Sequence, residues 1–132
     1  MSLVYLDSSA LVKLVVREPE SMALIDFLRA HAERVSSALA LAEVLRALRR
    51  AGFGAVERRR ASQILSRVAL VDVDRRTLTS AAVLDPPTLG TLDSIHLATA
   101  LILRDELTAL VTYDRRLAAA AERAHVEVVA PA

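Results

Sequence analysis

Residues Leu3-Val4-Tyr5-Leu6 form a short, β-rich apolar run without polar alternation, and it stops at Asp7. A strand with no polar face must be covered on both sides, the usual position of a strand in a parallel sheet between two layers of helices. The rest of the chain supplies such layers. Spacing predicts helices over 8–16, 20–31, 38–51, 54–68, 75–84, 91–104 and 114–124. Pro19 ends the first helix, Gly52 closes the third, and Pro86 and Pro87 stop the fifth. Further strands are expected at 69–73, 109–112 and 126–129, with 34–36 at best a short one. Strands separated by helices pair in parallel through right-handed crossovers. The expectation is α/β: a three-layer sandwich with a short parallel sheet of four to five strands, flanked by helices, in one domain spanning 1–132. No internal repeat, low-complexity stretch or linker divides the chain.

Composition narrows the function classes. At 132 residues and 54% hydrophobic content the chain is neither disordered nor too small for a core. It has no cysteine, which removes disulfides, thiolate metal sites and thiol nucleophiles. No basic region precedes the first apolar stretch, and Asp7 and Lys13 interrupt it, unlike a signal peptide. No segment approaches the ~20 apolar residues of a membrane span. A cytoplasmic protein without membrane attachment is expected. Lys+Arg number 17 and Asp+Glu 16, a net charge of +1 that on its face argues against a nucleic-acid partner. The cations are nevertheless clustered. Between residues 46 and 60 lie Arg46, Arg49, Arg50, Arg58, Arg59 and Arg60 against Glu57 alone, a local net of +5. Such a stretch either tracks a phosphate backbone or is a solvated helix pair.

Four acids do not sit where solvated surface acids belong. Asp7 follows the first buried strand directly, and Asp114 lies two residues past Thr112 at the end of another. Carboxyl ends of parallel strands share one edge of the sheet, where ligands bind, so these two distant residues can be neighbours. Glu43 is a lone carboxylate inside the run Ala38-Leu39-Ala40-Leu41-Ala42-Glu43-Val44-Leu45, and Asp93 opens a helix after the Gly90 turn. Each has a plainer reading. Asp7, Asp93 and Asp114 are natural N-caps, and Glu43 can pair with Arg46 at i+3. Their conjunction favours a shared site. Several carboxylates without cysteine ask for a hard cation, Mg²⁺ or Mn²⁺, held by oxygen ligands and water. Without a cation the cluster repels itself: two charges ~4 Å apart cost about 1 kcal/mol in water and about 4 at an effective dielectric near 20. A carboxylate-held divalent ion suits phosphodiester hydrolysis.

At these residues the chain resembles the PIN-domain nucleases, and within them the VapC-like toxins of type II toxin–antitoxin pairs. The matching segments are 4–14 (Val-Tyr-Leu-Asp-Ser-Ser-Ala-Leu-Val-Lys-Leu), 37–44 around Glu43, 92–100 (Leu-Asp-Ser-Ile-His-Leu-Ala-Thr-Ala) and 110–117 (Leu-Val-Thr-Tyr-Asp-Arg-Arg-Leu). They fall in family order and span essentially the whole chain. The resemblance implies a Mg²⁺-dependent endoribonuclease, with Asp7, Glu43, Asp93 and Asp114 as the catalytic and metal-binding set. It also implies an RNA substrate, a cognate antitoxin that covers the site, and a homodimer. Ser9 and Thr112 match the small hydroxyl residues the family places beside the first and last acids.

Among other residues, His96 lies at i+3 from Asp93; it either touches substrate or orients Asp93, or is a partly buried histidine bonded locally. Arg115 either contacts phosphate or is solvated. Lys13 reads as a side chain snorkelling from the surface. The apolar faces around Leu14, Val15, Leu24 and Leu28 are either core or a partner groove. Two other functions are compatible with the α/β pattern. A catalytically silent PIN-like binding module has no physical need of a self-repelling acid cluster. A phosphoacceptor domain would want a second acid beside the first strand and a late lysine, and the only lysine is Lys13.

Overall fold

The computed structural model describes residues 2–132. Five parallel strands form one sheet: β1 (Leu3–Leu6), β2 (Glu33–Ser37), β3 (Ala69–Val71), β4 (Leu107–Val111) and β5 (Val128–Val129), in the order β3-β2-β1-β4-β5. Around it, among the described residues, lie α1 (Ser8–Val15), α2 (Ser21–Arg29), α3 (Leu39–Arg50), α4 (Ala55–Leu65), α5 (Arg75–Ala82), α6 (Thr91–Ile102) and α7 (Arg115–Arg123). No helix among the described residues is long and apolar enough to cross a membrane.

The apolar run that opened the chain is the central strand. Its side chains alternate between two cores, not between core and water. Val4 and Leu6 pack with Ala109 and Val111 of β4 against Leu11, Val15, Leu24, Leu28, Val44 and Leu48, which belong to α1, α2 and α3. The helical faces left open between core and groove are therefore core. Tyr5 points the other way with Val35 and Leu110, against Leu97 and Ala100 of α6 and Leu117, Ala120 and Ala121 of α7. The expected three-layer sandwich is what forms.

The sheet also contains a reversal of direction that positions the site. From β1 the chain builds outward through β2 and β3, then returns to place β4 on the other side of β1. The crevice at the C-terminal ends of β1 and β4 is thus the topological switch point, where open α/β sheets bind ligands. Asp7 N–H donates to Val111 O at 3.2 Å, carrying the β1–β4 pairing one residue past the strand.

Several element boundaries differ from the sequence expectation. The doubtful strand at 34–36 is a full member, Glu33–Ser37, paired to both β1 and β3. Its buried Ser36 and Ser37 disguise it as a polar turn. The strand expected at 69–73 stops at Val71, because Asp74 turns to cap α5, its Oδ1 accepting from Thr77 N–H at 2.9 Å. The fourth helix ends at Leu65 and a turn carries the chain through Val68. Gly52 closes α3 as expected: with φ at 84° it allows Phe53 N–H to reach back to Leu48 O at 3.0 Å, the Schellman arrangement. Lys13 does not snorkel. Its ammonium is 2.9 Å from Glu20, 3.7 Å from Glu18 and 4.7 Å from the Tyr113 ring centre, bracing the α1–α2 turn.

Because Leu110 is fully buried on β4, Leu110→Ala is expected to cost about 2–5 kcal/mol in urea unfolding. Leu41→Ala, at a position 46% exposed on α3, should stay within about 0.5 kcal/mol.

Candidate active site

Asp7 is the anchor. It follows β1 and is 3% exposed. Its Oδ1 accepts from Ala10 N–H at 3.0 Å, so the N-cap reading is correct as far as it goes. The same oxygen accepts from Ser9 Oγ at 2.6 Å, and Oδ2 accepts from Thr112 Oγ1 at 2.5 Å. Burial pushes the Asp7 carboxyl above the ordinary range, opposed by these three donors and by His96. Ser9 Oγ in turn accepts from Tyr113 N–H at 3.0 Å, and Thr112 Oγ1 from Asp114 N–H at 3.0 Å. The two hydroxyl residues therefore tie the end of β1 to the turn after β4.

Asp114 caps α7, with Oδ1 accepting from Arg116 and Leu117 N–H at 2.9 and 3.1 Å. Capping and membership of the acid cluster coexist, because the cap fixes the carboxylate at the sheet edge. Asp93 is different. Gly90 holds the cap position of α6, and Asp93 lies in the first helical turn. Its pKa is raised to about 6: burial contributes most, then the charges of Asp114, Asp7 and Glu43, with His96 opposing. The three other acids thus face Asp93 closely enough to resist its ionisation. An acid with a folded pKa above its unfolded 3.8 contributes stability below about 3.8, and that contribution is lost as pH rises through about 6.

Glu43 projects from α3 and does not form the expected pair with Arg46. Its Oε1 accepts from Ser8 Oγ at 2.6 Å and lies 2.6 Å from His96 Nε2. Burial alone would raise the Glu43 pKa, but the hydrogen bonds from His96 and Ser8 outweigh it and hold the carboxyl below the usual range. His96 itself corrects the sequence reading. It is 2% exposed, orients Glu43 and not Asp93, and bonds at long range: its Nδ1 is 2.7 Å from the Tyr5 hydroxyl. Ser8 and Tyr5 were not singled out from the sequence. Ser8 sits beside two candidate residues, but nothing in one dimension links it to Glu43. Arg115 is exposed on α7 and makes no ion pair among the described residues.

A groove of about 410 Å³ runs from Ser8, Ser9 and Glu43 past Arg46 and Arg50 to Leu92. Two of the clustered arginines thus line the groove with Glu43, whereas Arg60 donates to Val15 O at 3.0 Å.

The donor set is all oxygen, which fits a hard divalent cation. Among the described residues no three His, Asp or Glu side chains converge tightly enough to grip a metal by themselves. That openness is compatible with Mg²⁺, which keeps several waters and needs only one or two carboxylates. The opposition to Asp93 ionisation is the more telling observation, since a cation would remove it.

The PIN domain family model matches residues 4–123. Ribonuclease VapC46 of Mycobacterium tuberculosis is 51% identical over 131 residues, covering 99% of each chain. Ribonuclease VapC35 of the same organism is 43% identical over 136 residues, covering 98% of this chain and 97% of that one. Among solved structures, VapBC2 from Rickettsia felis, bound to a DNA fragment from its promoter, superposes with a TM-score of 0.77 at 14% identity over 98% of this chain and 99% of that one. With a family model spanning most of its length and relatives this similar end to end, the protein belongs to the PIN-domain family, in its VapC-like group.

Proposed function

We propose that the protein is a Mg²⁺-dependent endoribonuclease, the toxin of a toxin–antitoxin pair, hydrolysing RNA phosphodiester bonds at the cleft between β1 and β4. What carries the reading is buried Asp7 at the switch point, tied through Ser9 and Thr112 to the turn that presents Asp114, with Glu43 lining the adjoining groove; Asp93 faces them, its pKa raised by burial and then by their charges. The relatives named as ribonucleases support the same reading.

Asp7 and Asp93 would hold the cation, with Asp114 acting beside them directly or through water. Mn²⁺ would serve in place of Mg²⁺. When bound, the ion supplies Lewis-acid charge to the phosphodiester and acidifies the attacking water. The chain's own residues do the rest. Ser9 and Thr112 hold Asp7 to one rotamer. Glu43, ionised and lining the groove, orients the water and takes up its proton. Arg46 and Arg50 give the same groove a basic wall for the RNA backbone.

The partners follow from this reading: an RNA substrate, a cognate antitoxin covering the cleft, and a second copy of the chain, all in the cytoplasm. Leu78 and Val83, 47% and 78% exposed, supply apolar surface for a dimer contact.

The test is cleavage of RNA by the purified protein. Mg²⁺ should support cleavage and EDTA abolish it. Asp7→Asn keeps a capping side chain but loses the charge. It should slow cleavage by about 100-fold or more, the upper end of what even outer-shell partners of a metal contribute. Cleavage that survives both treatments would favour a contaminating nuclease and a silent binding module.

Protons compete with the cation for Asp93. Mn²⁺ affinity, measured by titration, should therefore be markedly tighter at pH 7.5 than at pH 5.5, with the change centred near the Asp93 pKa of about 6. A pH-independent affinity would remove Asp93 from the site.

A further inference from the structure

The interior holds one polar path that the reading above does not require. Tyr5 is fully buried in the middle of β1, on the face opposite Val4 and Leu6. His96 is buried in α6, within a stretch from Ser94 to Ala100 in which every residue is buried. The two rings meet edge to face, with centres 5.8 Å apart. Burying a phenol and an imidazole in an aliphatic layer costs free energy unless their polar atoms are paired. Here they are paired with each other, and the chain of contacts runs on. The Tyr5 hydroxyl is 2.7 Å from His96 Nδ1, and His96 Nε2 is 2.6 Å from Glu43 Oε1. The path leads from the core to a carboxylate that lines the groove.

We infer that Tyr5 and His96 are positioning residues for Glu43, which they and Ser8 clamp by its Oε1 so that Oε2 is left free for the reaction. This rests on the metal-nuclease reading of the site. The direction of the hydrogen bonds follows from the acceptors. An ionised carboxylate only accepts, so Nε2 must carry a proton; a bare Nε2 at 2.6 Å would set two lone pairs against each other. In the neutral imidazole Nδ1 is then the acceptor and takes the Tyr5 hydrogen. Burial keeps that phenol protonated throughout the working range, so the donor is permanent. Ser36 and Thr99 lie around the Tyr5 oxygen, and the buried Ser36 Oγ has no hydrogen-bond partner among the described residues. Ser8 Oγ donates to the same Oε1 at 2.6 Å. Two donors on one oxygen fix the carboxylate plane, and the second oxygen has no donor among the described residues. A histidine that sets a carboxylate's orientation through one nitrogen while a fixed partner holds the other is the arrangement that outer-shell groups use around metal sites.

The experiment uses the full chain with Tyr5→Phe, Ser8→Ala, His96→Leu and His96→Gln, and Asp7→Asn as the reference for loss of the site. Tyr5→Phe and Ser8→Ala change shape least and report even if His96→Leu fails to fold. The wild-type ¹⁵N spectrum of the imidazole should place a proton on Nε2. On RNA, Tyr5→Phe and His96→Leu should lower kcat by about 10–100-fold with KM within about twofold. His96→Gln, which retains an N–H donor, should recover a large part of kcat. If Tyr5→Phe, Ser8→Ala and His96→Leu cleave like wild type while Asp7→Asn does not, the positioning role alone is overturned. If Asp7→Asn also cleaves like wild type, the metal-nuclease reading fails and this inference with it. A proton confined to Nδ1 overturns the clamp directly.

Discussion

A carboxylate buried at the end of the central strand is the constraint around which the cleft is built. Asp7 is 3% exposed, and a charge there is tolerated only if donors surround it. They come from three places: the Ala10 N–H at the start of α1, the Ser9 hydroxyl beside it, and the Thr112 hydroxyl just past β4. These hydrogen bonds oppose the rise that burial imposes on the Asp7 carboxyl without reversing it. These span the switch point, so the requirement to satisfy Asp7 also holds β1 against the turn that presents Asp114. Thr112 serves both, donating to Asp7 and accepting from Asp114 N–H.

The same requirement produces an electrostatic imbalance. Asp7 is provided with donors, Glu43 is clamped by Ser8 and His96, and Asp114 is engaged in capping. Asp93 is half-buried among neighbours of its own sign, and burial first, then those charges, raise its pKa to about 6. A cluster of this kind is costly as a resting structure and useful as a receptor for a divalent ion. The near-neutral net charge of the chain conceals this layout, in which an acidic cleft adjoins a groove walled by Arg46 and Arg50.

What was legible in the sequence follows from what is local. The uninterrupted Leu3–Leu6 run marks the central strand, and the Gly52 stop marks the end of α3, because each needs only its neighbours. The strand at Glu33–Ser37 was under-read because Ser36 and Ser37 look polar, and they are buried only because neighbouring strands cover them. The four acids were legible through strand ends and isolation in apolar runs. Their plainer readings were partly right as well, since Asp7 and Asp114 are caps. The Tyr5–His96–Glu43 path was not legible. Its members come from a strand and two helices far apart in sequence, and its Ser8 donor carries no periodic signal. Lys13 was misjudged for a similar reason: Glu18 and Glu20 reach it only once the chain turns between α1 and α2.

The central claim is that burial and neighbouring charge together oppose ionisation of Asp93 and that a divalent cation relieves the opposition. Thermal unfolding of wild type and Asp93→Asn at pH 7.5, with and without Mg²⁺, tests it most directly. Without metal, Asp93→Asn should melt higher by a few degrees, reflecting on the order of 1 kcal/mol of relieved repulsion after solvent screening. It should also lose most of the rise in Tm that Mg²⁺ gives the wild type. A variant that melts at or below wild type without metal, and keeps the full Mg²⁺-dependent rise, would contradict the account.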